Sequence, residues 1–203
     1  MKKIERYLVA ILGMTLINIG IAFVAKARIG SDCVTLLLQA FNNNFGFTLG
    51  TWNAIFGAIF VVIALICDKK KIGFATIYYV IAGKFIIDGL MNVLPDPNSY
   101  LVDAIYCLLA ITVISFGSAL SISARLGLSY YDAFCYAVTD RFNIKYIYFR
   151  YTVEGIFIIV SFFLHTYPGI GTIIYFIALG PCVTFVLDKI KTPIRKYLGL
   201  NFE

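Results

Sequence analysis

Charged residues are scarce in this chain. Only 14% of its 203 residues are Asp, Glu, Lys or Arg, and 61% are hydrophobic. Soluble domains carry about 25% charged and about 45–50% apolar residues. A soluble globular fold is therefore excluded. The composition predicts a single membrane domain over residues 1–203. Its expected partner is the lipid bilayer in which it lies.

Residues that carry catalysis or bind metals are equally scarce. His165 is the only histidine, so no histidine cluster for zinc can form, and because it lies beside a proline-glycine loop the sequence shows no Ser–His arrangement for acyl transfer. The five cysteines stand singly, without a CxxC pair. Ala82-Gly83-Lys84 lacks the upstream glycine and the Ser or Thr of a P-loop. We expect no enzymatic activity, no catalytic residue, no metal ion and no cofactor.

Six apolar runs are long enough to cross a membrane. A spanning helix needs about 20 apolar residues, and helices are the assignment here because an open sheet leaves backbone groups unpaired in lipid. The runs cover residues 7–25, 51–67, 72–94, 101–124, 148–165 and 171–188. Two shorter segments, 31–45 and 128–142, each carry an acid and follow a glycine. They could be full spans, half-spans or surface helices.

The positive charges favour one arrangement of these segments. The net charge of +6 comes from Lys and Arg clusters between apolar runs, which is typical of cytoplasmic loops and not of a nucleic-acid surface. If neither short segment crosses, 14 basic residues lie on one side and only Lys26 and Arg28 on the other, with Lys84 inside a span. If both cross, the division is 10 against six. The sequence therefore predicts six spans with both termini in the cytoplasm.

The chain matches itself at an offset of 97 residues. Eight of the 19 positions from 12 to 30 are identical to their counterparts, including an arginine and two glycines, which shared hydrophobicity does not explain. The identical pairs are Leu12/Leu109, Thr15/Thr112, Ile17/Ile114, Gly20/Gly117, Ala22/Ala119, Ala27/Ala124, Arg28/Arg125 and Gly30/Gly127. Such self-similarity predicts two tandem repeats, residues 1–98 and 99–203.

Each repeat would hold three crossings, so the second repeat would enter the membrane from the opposite side. Inverted repeats are typical of secondary transporters, whose substrate lies near the midplane between the repeats. Short helices at matching positions point to such a site, and segments 31–45 and 128–142 match. We therefore predict an all-α bundle of six spans and two short non-spanning helices that acts as a small-solute transporter or channel. Eight spans would instead give parallel repeats.

Short motifs link the chain to a known family. Ala27-Arg28-Ile29-Gly30 and Ala124-Arg125-Leu126-Gly127 form equivalent turns, Tyr131-Asp132 follows the second turn, and Gly180-Pro181 lies in the last span. In these motifs the chain resembles the YitT/YczE family of small multi-pass bacterial membrane proteins. The resemblance implies a bacterial plasma-membrane protein of about six spans with an unassigned activity, for which transport is commonly suspected.

The chain departs from the family pattern at two places. The family usually has a proline before the aromatic-Asp step, where this chain has Tyr130. The first repeat has Val34-Thr35 where an aromatic-Asp step would be expected. A site shared by the two repeats would therefore be asymmetric.

Three ionisable residues inside the spans are candidates for a substrate or ion site. Lys84 lies mid-span, where a charge costs about 2.5–3.5 kcal/mol, and Asp88 follows one turn later. The two could face a substrate or simply neutralise each other. Glu154 follows Arg150 by one turn, so it could serve the site or form an interfacial ion pair.

Four more candidates flank the short segments. Arg28 and Arg125 could clamp a carboxylate or phosphate, or anchor the chain at the headgroups. Asp32 and Asp132 open the short segments, where an acid caps a helix or couples transport to a cation or proton.

Two other classes of protein stay open. The size and charge also fit the substrate-binding membrane subunit of an ATPase-driven transporter, which would co-purify with its ATPase. An accessory membrane protein that carries nothing would show no ligand effect on its stability. The partners expected under these hypotheses are an unknown small solute, a transporter subunit or a second copy of the chain.

Overall fold

The computed structural model describes residues 2–198, without the side chains of residues 2, 191 and 195–198. The described residues contain no strand. They form α1 Lys2–Lys26, α2 Cys33–Phe45, α3 Leu49–Cys67, α4 Phe74–Val93, α5 Tyr100–Ala124, α6 Tyr130–Phe142, α7 Tyr146–Phe163 and α8 Ile170–Leu198, with one 3₁₀ turn at Lys69–Lys71. The prediction of membrane orientation also counted four residues whose side chains the structure does not describe, namely Lys2, Lys191, Arg195 and Lys196.

Six of the helices are long and apolar enough to span a membrane, namely α1, α3, α4, α5, α7 and α8. The helices α2 and α6 have 13 residues each. At 1.5 Å per residue they are about 20 Å long, shorter than the roughly 30 Å of hydrocarbon in a bilayer. The predicted all-α architecture of six full spans and two short helices is confirmed.

The helices α1 and α5 pack along each other and run antiparallel. Gly13 of α1 lies against the backbone of Gly117, whereas Gly20, further along α1, lies against Ile114, which precedes Gly117 on α5. The missing side chains let the two backbones approach closely, which is a common way for helices to associate in lipid. We call the end of the bundle where α1 begins the N-terminal end, and the opposite end the far end.

Two of the four pairs of corresponding helices begin 97 residues apart, and the other two begin 98 and 96 residues apart. The short helices α2 and α6 begin at Cys33 and Tyr130, and α3 and α7 begin at Leu49 and Tyr146. The side chain before each short helix caps it: Asp32 accepts hydrogen bonds from the first turn of α2, and Ser129 does so for α6. The spacing of 97 residues equals the offset at which the two halves of the sequence match.

The two halves of the chain dock on each other reciprocally. The short helix α2 packs against α7, and α6 packs against α3. At the start of α8, the Gly171 amide donates to the carbonyl of Ile29 over 2.7 Å. At the start of α4, the Ala75 amide donates to the carbonyl of Leu126 over 3.0 Å. The turn after the first helix of each half thus anchors the last helix of the other half.

Glycines give these anchoring turns their shape. Gly30 and Gly127 have φ angles of +122° and +123°, which residues with a Cβ rarely adopt. A Cβ on Gly127 would lie 2.9 Å from the Cα of Gly73, just before α4. The turn therefore has no room for a side chain at this position.

We expect Gly127→Ala to lower the free energy of unfolding by about 1–3 kcal/mol, because both the positive φ and the contact with Gly73 oppose a Cβ. Thermal unfolding of the purified protein in detergent would measure the loss. Gly155→Ala is the matched control, since a Cβ on Gly155 in α7 meets nothing within 4 Å, and it should leave stability unchanged or slightly higher. Equal losses in both variants would contradict this account of the turn.

Candidate functional site

A polar cluster lies where α6 and α7 meet the start of α2. The Arg150 guanidinium donates to Glu154 Oε1 over 2.8 Å and to the Tyr146 hydroxyl over 3.0 Å. The Tyr146 hydroxyl donates in turn to Asp132 Oδ1 over 3.2 Å, and Arg150 Nη1 lies 3.6 Å from the same oxygen. One arginine on α7 therefore holds a carboxylate from its own helix and one from α6.

Tyr131 completes the α6 side of the cluster. Its hydroxyl lies 3.4 Å from Glu154 Oε1, to which it donates. Its ring faces the Arg150 guanidinium at 5.6 Å from the ring centroid, which is within the range of a cation–π interaction. Tyr131 thus contacts both members of the Arg150–Glu154 pair.

Asp32 adds a third carboxylate from the start of α2. Its Oδ2 accepts hydrogen bonds from the amides of Val34 and Thr35, each over 3.2 Å. Burial raises the pKa of Asp32 above its usual value, although the hydrogen bonds with Thr35 and Val34 and the nearby Arg150 guanidinium lower it in part. We call Asp32, Tyr131, Asp132, Tyr146, Arg150 and Glu154 together the carboxylate–arginine cluster.

The cluster has more negative than positive groups. When all three carboxyl groups are ionised, the single guanidinium leaves a formal charge of −2. Glu154 lies halfway along the 18-residue α7 and is 7% exposed. The side chains of Asp132 and Arg150 are 34% and 31% exposed. Uncompensated charge at such depth is costly, so the arrangement is suited to taking up protons or a cation.

The structure brings together three of the seven residues singled out in the sequence, Asp32, Asp132 and Glu154. The Arg150–Glu154 pair forms as the spacing suggests. Glu154 is buried halfway along α7, and its carboxylate accepts a hydrogen bond from Tyr131 of α6. No three His, Cys, Asp or Glu side chains among the described residues are arranged to hold a metal ion.

Arg28 and Arg125 lie at opposite ends of the bundle and do not form a common clamp. At the far end, Arg28 Nη2 lies 2.9 Å from Asp103 Oδ2 and the Arg28 amide donates to Oδ1 over 2.9 Å, beside a cleft of about 720 Å³. The Asp103 carboxylate is fully buried. At the N-terminal end, Arg125 is the exposed C-cap of α5, and its carbonyl accepts a hydrogen bond from Arg6.

Lys84 and Asp88 do not form an ion pair, so the interpretation that they neutralise each other is wrong. Lys84 is exposed on the outer face of α4 and has no ion pair among the described residues. The Asp88 carboxylate instead accepts from the Thr48 hydroxyl over 2.7 Å and from the Gly50 amide over 2.8 Å. Asp88 therefore joins α4 to the start of α3.

Sequence reasoning missed the tyrosines of the cluster and a buried polar contact beside it. Tyr131 was noted only as part of the Tyr131-Asp132 motif and was given no role in a site, and Tyr146 did not stand out among the 14 tyrosines of the chain. Tyr130 is fully buried and donates to Asn53 Oδ1 on α3 over 2.8 Å. Asparagines inside apolar runs, Asn18 and Asn53, were the signal that could have found this contact.

The fold and the cluster define a polytopic membrane protein with a polar site inside its helix bundle. Residues 4–188 match a family of unknown function, DUF6198, and the chain belongs to that family. The expected YczE-like membership is thereby confirmed.

The relatives are bacterial proteins. The chain is 28% identical over 150 residues to the uncharacterized membrane protein YczE of Bacillus subtilis, covering 72% of this chain and 68% of that protein. It is 22% identical over 204 residues to the uncharacterized protein YyaS of the same organism, covering 97% and 98%. An uncharacterized protein of Haemophilus influenzae is 23% identical over 182 residues, covering 90% and 83%. No solved structure matches the chain.

We expect Arg150→Gln to destabilise the protein by about 3–5 kcal/mol at pH 8, because it leaves buried carboxylates without their cation. The loss should shrink at pH 5, where protonation removes the uncompensated charge. Thermal unfolding in detergent at both pH values would test this. Lys71→Gln, which breaks the ion pair with the half-exposed Asp140, should cost less than about 1 kcal/mol at either pH. A pH-independent loss in Arg150→Gln would contradict the charge argument.

Proposed function

We propose that the protein is a transporter of a small cationic solute, that it acts without catalytic chemistry, and that the carboxylate–arginine cluster is its binding site. The observation that carries this proposal is that Arg150 of the spanning helix α7 pairs with Glu154, halfway along the helix, and with Asp132 of α6, while the third carboxyl group, Asp32, is near enough to be affected by its charge. A cation that enters the cluster would supply the positive charge that the protein itself lacks there. Tyr131 and Tyr146 add hydroxyl groups and, in Tyr131, an aromatic face suited to an organic ammonium group.

Protons and the solute would compete for the same carboxylates. A carboxyl group that binds a proton no longer attracts a cation, and a bound cation favours release of the proton. Asp32 supports this exchange, because burial keeps its pKa above the usual value. The proposed transporter therefore exchanges its cationic solute for protons.

We infer further that residues 1–98 and 99–203 are inverted repeats. Their first helices, α1 and α5, run antiparallel, and corresponding helices begin 96 to 98 residues apart. In inverted repeats the substrate site lies at the repeat interface. The cluster fits that position, because it combines Asp32 from the first half with α6 and α7 from the second.

The basic residues support a cytoplasmic N-terminal end in the bacterial plasma membrane. Lys69–Lys71, Arg141 and Lys145 lie at that end, where α3 and α6 end and α4 and α7 begin. Lys26 and Arg28 lie at the far end. Cytoplasmic loops carry such an excess of Lys and Arg.

Single cysteines in a cysteine-free protein would test this orientation in intact cells. An impermeant thiol reagent added outside should label cysteines that replace Asn44 and Asn98, at the far end, and not one that replaces Lys70. The reverse pattern would place the N-terminal end outside and refute the proposed orientation. Labelling of all three after cell lysis is the control for reactivity.

Ligand-dependent stability would test the cation site. We expect at least one of sodium, methylammonium, tetramethylammonium and tetraphenylphosphonium to raise the melting temperature of the detergent-purified protein, more strongly at pH 8 than at pH 6. Glu154→Gln should remove this shift, because it deletes a carboxylate of the cluster. Asp140→Asn, which deletes a half-exposed carboxylate at the N-terminal end, should retain it.

The same cation should drive proton movement in proteoliposomes that contain the protein. Stabilisation without any proton or solute flux would point instead to a binding subunit of a larger transporter. If none of the four cations changes stability, or if Glu154→Gln keeps the full shift, the cluster is not a cation site.

A further inference from the structure

The last helices of the two halves, α4 and α8, differ in how they pack. Along α3, Gly50 lies against the Lys84 carbonyl of α4, and a Cβ on Gly57 would lie 2.8 Å from Val80. The helices α7 and α8, which correspond to α3 and α4, hardly approach each other. Tyr151 and Phe176 form a ring contact between them at 5.0 Å. The seam between α3 and α4 is therefore closed, and the seam between α7 and α8 is open.

Two corresponding glycines, one in α4 and one in α8, show the same difference in packing. A Cβ on Gly83 of α4 would lie 2.7 Å from Asn53 Nδ2 and 2.8 Å from Asn18 Oδ1. A Cβ on Gly180 of α8, 97 residues later, would meet nothing within 4 Å. Ile177, which corresponds to Val80, is 65% exposed. Within the second half, α8 therefore does not occupy the position that α4 occupies within the first half.

Both helices are anchored at their starts. The turn at Leu126 holds the start of α4 at the N-terminal end, and the turn at Ile29 holds the start of α8 at the far end. The free part of α4 therefore lies towards the far end and that of α8 towards the N-terminal end. Movement about these anchors would open or close opposite ends of the bundle.

Asp88 latches the closed seam. It joins the second half of α4 to the Thr48 hydroxyl and the Gly50 amide at the start of α3. In the second half, Phe185 of α8 corresponds to Asp88. Lys145 and Ile147 correspond to Thr48 and Gly50. A phenylalanine accepts no hydrogen bond from these groups, so the open seam has no matching latch.

We propose that α4 and α8 are alternating gates, and that Asp88 is the latch of the far-end gate. In this conformation the α3–α4 seam towards the far end is closed and the α7–α8 seam towards the N-terminal end is open. In the alternative conformation Asp88 releases Thr48, α4 parts from α3, and α8 closes on α7. Ile177 then covers Glu154, as Val80 now covers Gly57. The inference rests on the proposed transport function and identifies the device that gives the cluster access to each side in turn.

Cysteine cross-linking in membranes would measure the gate at the N-terminal end. Lys145→Cys and Phe185→Cys, in a cysteine-free chain, correspond to Thr48 and Asp88, whose side-chain oxygens are 2.7 Å apart across the closed seam. We expect slow disulfide formation between them under a mild oxidant. Weakening the latch with Thr48→Val, which removes one of its two hydrogen bonds, or removing it with Asp88→Leu, should accelerate it roughly fivefold, because lost hydrogen bonds shift the population towards the alternative conformation.

Two matched variants control for general loosening of the bundle. Thr48→Ser keeps the hydroxyl that bonds Asp88, and Asp96→Asn removes an exposed far-end carboxylate that pairs with Lys26 and not with α3. Both should keep the slow rate. A single cysteine at Val80, labelled from the far end, should become more reactive in Thr48→Val and stay protected in Thr48→Ser.

Equal cross-linking rates in Thr48→Val and Thr48→Ser, together with unchanged labelling at Val80, would overturn the gate. The measurement needs no solute, so its result is independent of cation binding. Latch-dependent cross-linking without a cation effect on stability would support the gate and refute the cation site. A cation shift that depends on Glu154, with no latch effect, would leave the cation site and refute the gate.

Discussion

The close antiparallel contact of α1 and α5 is the constraint on which the rest of the bundle depends. In lipid no hydrophobic force drives helices together, so close packing of small residues takes its place. Gly13, Gly20 and Gly117 provide that packing. Because α1 and α5 lead the two halves, their opposite directions place α2 against α7 and α6 against α3. Each short helix thereby packs against a span of the opposite half.

Charge is the second constraint, and it acts inside that frame. The guanidinium of Arg150 pairs with Glu154 and Asp132 and also affects the carboxyl group of Asp32 just before α2, and one positive charge cannot balance three negative charges. A membrane protein that needed only structural stability would gain from an apolar replacement at this depth. Retaining Asp32, Asp132 and Glu154 around Arg150 is therefore an argument for a binding function, and the sign of the imbalance favours a cation over an anion.

The two halves differ in sequence where the proposed binding site and the proposed gates lie. The second half carries Arg150 and Glu154 where the first half has Asn53 and Gly57. The small residue at position 57 lets α4 close on α3, and the larger carboxylate at the corresponding place belongs to the cluster. The proposed latch therefore lies in the first half of the chain, and the carboxylate–arginine cluster lies mainly in the second.

The sequence by itself determined the six spans, the two short helices and the spacing of 97 residues, because span length, hydropathy and self-similarity are local properties of a chain. It also singled out Asp32, Asp132 and Glu154 as charges in unusual places. Only the tertiary structure decided their partners. Asp32 is 118 residues from Arg150 in the chain. Asp88 accepts a hydrogen bond from Thr48 and does not pair with Lys84. Partner choice depends on how each helix is rotated and where helices cross, which no local pattern specifies.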